Sequence, residues 1–231
     1  MKTNSWQCLT SNQLKIIALI AMTCDHVGKE LFPQYRILSM IGRLAFPIFA
    51  YMIAEGFSHT HNRKKYLATM CIYALVCQTV YSIATGSLYQ CILVTFSLSI
   101  LLLYVLDNAL KKKTIWSIFM ALACLIPIWF ICQVLPLLLP QTDFVIDYGF
   151  FGILLPVFVY FAKSHPYKLI LALACLIGIC YDIQGSQWYS LCAIPLLYLY
   201  NGKRGNQKLK YLFYIYYPLH LIAVYALSLF L

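Results

Sequence analysis

The chain has 231 residues, 62% of them hydrophobic and 10% charged, with a mean hydropathy of +0.78. Ordinary soluble domains are roughly 45–50% apolar, so a soluble globular protein is excluded. The net charge of +10 would point to nucleic acid in a soluble protein; here it is read through its placement between apolar segments, and no nucleic-acid partner is expected.

The apolar runs are about 17–25 residues long, the length of membrane-crossing helices, and lack the ten-residue alternating pattern of barrel strands. The expected class is an all-α, polytopic integral membrane protein with about nine to ten transmembrane helices in a single bundle, residues 1–231 forming one domain. In chain order the spans are expected at 14–32, 37–57, 66–85, 91–110, 114–139, 148–163, 166–182, 187–200 and 211–231. The first apolar segment already holds Asp25 and His26 and no small-residue cleavage site follows it, so it is expected to stay as a span. Pro127 and Pro136 fall within 114–139 and are places where that span can kink or end.

Alternate connections are basic: 59–65, 111–113, 163–168 and 201–210. Those at 85–90, 141–149 and 182–187 hold three aspartates and no Lys or Arg. Positive residues collect on the cytoplasmic side, which puts the N-terminus and the basic loops inside and the C-terminus outside. The ten cysteines are scattered without CxxC pairs, so no metal site is expected from them.

A charged side chain at the bilayer centre costs at least about 2.5–3.5 kcal/mol, so each one needs a partner, a wet cavity or a task. The segment TCDHVGKELF (23–32) places Asp25, His26 and Lys29 in the first span. Lys15 and His26 are eleven residues apart, which sets them within about 20° on one helix face and about 16 Å apart along the axis. Asp25 lies about 100° round from His26, so it is expected to reach a cation on another helix. Arg43 is that cation: Arg43, Pro47, Ala50 and Ala54 form one stripe of the second span, with Gly42 beside it for close approach. A structural Asp25–Arg43 pair and a catalytic role for both remain open. His220 in the last span, with Tyr216 and Tyr217 one turn before it, is a secondary candidate, a tyrosine-bonded buried histidine being the plainer alternative. Glu55 and His59, with Arg63 and Lys64 beyond them, are placed either to meet a phosphorylated cofactor from the cytosol or simply to anchor the positive-inside topology and contact lipid headgroups.

A histidine flanked by charges in a membrane cavity serves as general base, nucleophile or proton relay. The residues alone therefore admit an enzyme or a proton-coupled membrane transporter.

The segments LTSNQLKIIALIAMTCDHVGKELFP and RILSMIGRLAFPIFAYMIAEGFSHTHNRKKYL, and FYIYYPLHL near the end, closely resemble the TraX family of conjugation-associated membrane proteins. The dense match covers residues 9–70 and 211–221. The resemblance implies an acetyltransferase of the bacterial inner membrane with acetyl-CoA as acyl donor and the N-terminal amine of pilin, or of another peptide, as acceptor. A glycan or lipid acceptor for O- or N-acylation, a transporter, and a membrane subunit of a pilus assembly are the alternatives. The family is similar to wider transmembrane acyltransferases whose first span carries a basic residue, ten intervening residues and a catalytic histidine. Lys15 and His26 reproduce that spacing, with Lys where those relatives more often have Arg. The resemblance thus implies His26 as the catalytic residue, Asp25 and Arg43 as its neighbours, and Lys15, Glu55, His59, Arg63 and Lys64 on the acetyl-CoA side, with His220 and Tyr217 second.

Overall fold

The computed structural model describes residues 6–205 and 210–228. Residues 206–209 of the basic connection and the last three residues of the expected span 211–231 lie outside them. The described residues form eleven α-helices and one 3-10 helix. Among the described residues five helical stretches are long and apolar enough to cross a membrane: Arg36–His59, which bends partway, Arg63–Thr85, Ile92–Lys112, Ile115–Gln133 and His165–Ile183. This is an all-helical membrane protein, and the described residues account for five of the nine to ten spans expected. The chain divides into two compact units, Met1–Met52 with Ser164–Leu231, and Ile53–Lys163.

In the first unit, α1 (Ser11–Glu30) opens on a capping box: Thr10 Oγ1 accepts from the Gln13 backbone N–H, and Gln13 Oε1 accepts from the Thr10 N–H. α1 is long enough to cross a membrane, but four charged side chains, Lys15, Asp25, Lys29 and Glu30, dilute its apolar residues and leave it outside the five apolar stretches. α2 (Arg36–Gly42) packs back against α1. The expected span 37–57 falls within the stretch Arg36–His59, whose helix is interrupted at Arg43–Leu44 before α3 (Ala45–His59). Pro47 explains the break, because it has no N–H to offer the Arg43 carbonyl four residues back and its ring crowds that carbonyl. α1 and α2 approach backbone to backbone. A Cβ on Gly28 would meet Leu38 Cβ at 2.6 Å, and one on Gly42 would fall on the Asp25 side chain.

In the second unit, α4 (Arg63–Thr85) starts on an Asn62 cap and ends on Gly86 in the left-handed conformation, φ 68°. α5 (Ile92–Lys112) is its centre, with Ile100, Leu102 and Leu103 fully buried and contacts to α4, α6 (Ile115–Gln133) and α8 (Gly149–Phe161). Ser99 Oγ donates to the Ile153 carbonyl at 3.0 Å and ties α5 to α8. α6 runs unbroken through Pro127, and α7 (Leu135–Leu138) carries Pro136 in its first turn. α8 has 13 residues, too short to cross alone. Between the helices, Gln90 pairs with Ile146, Tyr89 Oη donates to Asp147 at 2.5 Å, and Ser87 Oγ donates to Asp143.

The expected span 187–200, back in the first unit, takes a different form. After α9 (His165–Ile183) the chain enters a 3-10 helix, Gly185–Cys192, then α10 (Ala193–Tyr198). Together these retrace α9 to its start: His165 Nε2 lies 3.3 Å from the Tyr198 carbonyl. A 3-10 helix rises about 2.0 Å per residue against 1.5 Å in an α-helix, so fourteen residues cover about 25 Å where a pure α-helix would cover about 21 Å. The run ends beside the first residues of α1, where Leu9 pairs with Tyr200, the Ser11 N–H donates to the Lys203 carbonyl and the Asn12 N–H to that of Arg204. α11 (Lys210–Ser228) then packs on α1.

Candidate active site

His26 and His220, 194 positions apart in sequence, meet where α11 packs on α1: His220 Nε2 lies 3.4 Å from His26 Nδ1, and the rings are edge-on with centroids 5.0 Å apart. Each ring is also held by its own helix. His26 Nδ1 is 2.9 Å from the Met22 carbonyl, and His220 Nδ1 is 3.0 Å from that of Tyr216. A carbonyl only accepts, so both Nδ1 atoms carry a proton, and in the neutral rings both Nε2 atoms carry the lone pair. The His26 Nδ1–H thus faces two acceptors, Met22 O and His220 Nε2, and His26 Nε2 is the basic atom. Tyr216 stacks on His220 at 5.4 Å and Tyr217 meets it edge-on at 5.7 Å. Thr23 donates to the Leu19 carbonyl, which leaves its oxygen to accept the Tyr216 hydroxyl at 2.7 Å. Tyr216 and Tyr217 pack against Leu19, Ala21, Met22 and Ala45.

One residue before His26, Asp25 is shared between two cations. Lys29 Nζ donates to its Oδ2 at 2.6 Å, the one-turn spacing that suits such pairs. Arg43 NH2 stands 3.9 Å from its Oδ1, so the pair expected across the helices forms, but loosely. Arg43 NH1 reaches Gln187 Oε1 at 3.3 Å, from the 3-10 helix. Asp25 Oδ1, Arg43 Nε and Gln187 Nε2 are all buried, with no hydrogen-bond partner among the described residues. Beside this cluster Pro33, Arg36, Ser39, Met40, Arg43 and the rim of the 3-10 helix enclose a cavity of about 530 Å³.

Lys15 sits in the second turn of α1, in the same unit as His26. Glu55, His59, Arg63 and Lys64 lie in the other unit. There Glu55 Oε2 is 3.8 Å from His59 Nε2, Lys64 is exposed, and Arg63 is engaged: it pairs with Asp107, donates to Tyr160 Oη at 3.0 Å, and lies 4.6 Å over the Phe57 ring. Asp107 also accepts from Lys111 at 2.7 Å and from Tyr160 at 2.7 Å. Among the described residues no three His, Cys, Asp or Glu side chains gather to hold a metal.

Sequence reasoning missed Gln187, because an apolar stretch read as a span hides a polar side chain that faces inward. It missed Arg36 and Ser39 too, although Arg36, Ser39, Met40 and Arg43 at helical spacing mark one face of α2. Lys29 as the partner of Asp25 was there to be found in the spacing of four.

The model of the family described as TraX protein matches residues 10–228. The chain is similar to a probable fimbrial assembly protein FimC, serogroup H1, of Dichelobacter nodosus, 24% identical over 261 residues that cover 95% of this chain and 96% of that one. It is 30% identical over 184 residues to an uncharacterised protein of Rickettsia prowazekii (strain Madrid E), covering 79% of this chain and 66% of the other. No solved structure matches it. The matched stretch runs from the cap of α1 to the last described residue of α11 and takes in both histidines, Asp25 and Arg43; the chain belongs to the TraX family.

Proposed function

We propose that this protein is a membrane acetyltransferase that moves an acetyl group from acetyl-CoA to the N-terminal amine of a pilin or another peptide. The observation that supports this most is the geometry of His26. Its Nδ1–H faces the Met22 carbonyl and His220 Nε2, both acceptors, so its free Nε2 takes the proton of the attacking amine while the two acceptors stabilise the imidazolium that results. Acetyl-CoA supplies the thioester. Arg43, half-satisfied at 3.9 Å from Asp25, is the cation nearest to hand for the oxyanion that develops. Within its own unit Arg63 is committed to Asp107 and Tyr160, which leaves the exposed Lys64 and His59 there to meet phosphate. The relative named as a fimbrial assembly protein favours pilin as the acceptor.

The same reading sets the protein in the bacterial cytoplasmic membrane, N-terminus and basic loops inside, C-terminus outside. The pairing of Leu9–Asn12 with the segment 199–204 supports it, because it brings the basic connection after α10 to the end of α1 where the chain begins.

The test is acetyl-CoA and a peptide with a free N-terminus, with purified wild type and His26→Ala compared at equal folded fraction. Acetylated peptide and CoA from wild type alone is the expected result. Equal turnover by the variant removes His26 from the chemistry. The relative's printed name also favours a second reading, a membrane component of fimbrial assembly; capture of pilin with no acylation of any amine or hydroxyl is its sign.

A further inference from the structure

The cavity beside Asp25 carries more positive charge than its neighbours neutralise. Arg43 at its floor has one terminal nitrogen 3.9 Å from a carboxylate already bound by Lys29 at 2.6 Å, and the other on a neutral amide. Its Nε is buried with no hydrogen-bond partner among the described residues. Two turns earlier on the same face of α2, Arg36 lies exposed at the rim. Ser39 stands between them, and Ser186 and Tyr189 face them from the 3-10 helix, so the lining offers hydroxyls as well as guanidinium groups. Among the described residues no carboxylate lines it. This cation pair sits toward the end of α1 opposite the start that the basic connection after α10 meets, where a positive-inside distribution gives no reason for it. A guanidinium is built for a planar, bidentate oxyanion.

Arg36 and Arg43 are seven residues apart, about 10 Å along α2, and Gly42 puts Arg43 level with Asp25, the residue next to His26. An extended peptide covers about 3.3–3.6 Å per residue. A peptide whose amine reaches His26 therefore brings its side chains to Arg36 about three residues further on.

We infer that the cavity between α2 and the 3-10 helix binds a carboxylate side chain of the acceptor peptide, placed about three residues after the reacting amine and held by Arg36 and Arg43. This rests on the peptide-acyltransferase reading, and it adds a specificity rule: acidic near the N-terminus.

The experiment measures binding of three peptides to wild-type protein without acetyl-CoA, the peptides differing only in Glu, Gln or Lys at their fourth position. Transfer to the same peptides is then measured with acetyl-CoA. Wild type should bind the Glu peptide about five- to tenfold more tightly than the Gln peptide and reject the Lys peptide. Arg36→Gln should level the three, and Arg36→Lys should restore part of the preference. Equal binding of all three by wild type, or a Glu preference that survives Arg36→Gln, overturns the proposal while any acetylation stands. Glu-dependent, Arg36-dependent binding with no transfer upholds the site and sinks the acetyltransferase reading. If nanodiscs of phosphatidylglycerol bind in an Arg36-dependent way and the peptides do not, the cavity is a headgroup site and the proposal fails.

Discussion

Gly42 and Asp25 leave no room between them: a Cβ on Gly42 would lie on the Asp25 side chain, within 2.8 Å of its carboxyl carbon. The carboxylate that sits between Lys29 and Arg43 is thus positioned by the lack of a side chain on the facing helix. Gly42→Ala should push α1 and α2 apart, cost about 1–3 kcal/mol as overpacking does, and lower acyl transfer through the displaced Asp25 and Arg43. Thermal unfolding in detergent with a parallel transfer assay checks it; unchanged stability and rate would mean the two helices do not pack this way.

His220→Phe keeps an aromatic ring against Tyr216 and Tyr217 but removes the lone pair that faces His26 Nδ1. His220→Gln keeps an acceptor. If His220 positions His26 and stabilises its protonated form, Phe should lower kcat about tenfold or more with KM little changed, and Gln should recover part of the loss. The pH at which kcat/KM falls off on the acid side should also move with Phe. Equal kcat in all three proteins would leave His220 as packing.

Asp107 joins Arg63, Lys111 and Tyr160 within one unit. Asp107→Asn leaves the Arg63 guanidinium over Phe57 without its carboxylate, and a loss of about 2–3 kcal/mol is expected, below the range for fully buried pairs because Arg63 is 23% exposed. Tyr160→Phe should cost about 1 kcal/mol, since it removes one donor to that carboxylate and one acceptor for Arg63. Chemical denaturation of both variants measures these losses.

In the connection after α7, hydrogen bonds from the Ser87 hydroxyl and the Leu88 N–H hold the Asp143 carboxyl below the usual carboxylate range. A lowered folded-state value contributes stability that is present above the unfolded value, near pH 3.9, and is lost as pH falls through the folded one. The difference in unfolding temperature between wild type and Asp143→Asn should be full at pH 7 and close below about pH 4. A gap that persists at pH 2 would mean that ionisation of Asp143 is not its source.

What could be read without coordinates follows from how far each signal reaches along the chain. α4, α5, α6 and α9 are single apolar runs between polar connections, and length with hydropathy locates each of them. The Asp25–Arg43 pairing was legible because each residue sits on a recognisable helical stripe. The contact of His26 with His220 was not: both were marked as candidates, but no periodicity links residues 194 positions apart. The pairing of Asp107 with Arg63 was equally hidden, because the two lie 44 positions apart on different helices. The segment 187–200 misled for a different reason. Its composition is that of a membrane helix, whereas Gln184 and Gly185, both at φ 59°, start a 3-10 winding that leaves no hydrophobic period to detect.

That winding makes the segment a spacer of adjustable length. Eight residues of 3-10 helix rewound as α-helix would contract by about 4 Å. Its far end is held by Leu199 and Asn201 on Leu9 and by Tyr198 on His165, and its near end by the weaker thiol bond from Cys180 to the Gln187 carbonyl, so a contraction would break that thiol bond first and draw Ser186, Gln187 and Tyr189 along α9 past Arg43. Substitutions on the exposed side of the segment that favour one winding over the other would therefore retune the spacing between the amide of Gln187 and the guanidinium of Arg43 without altering either residue.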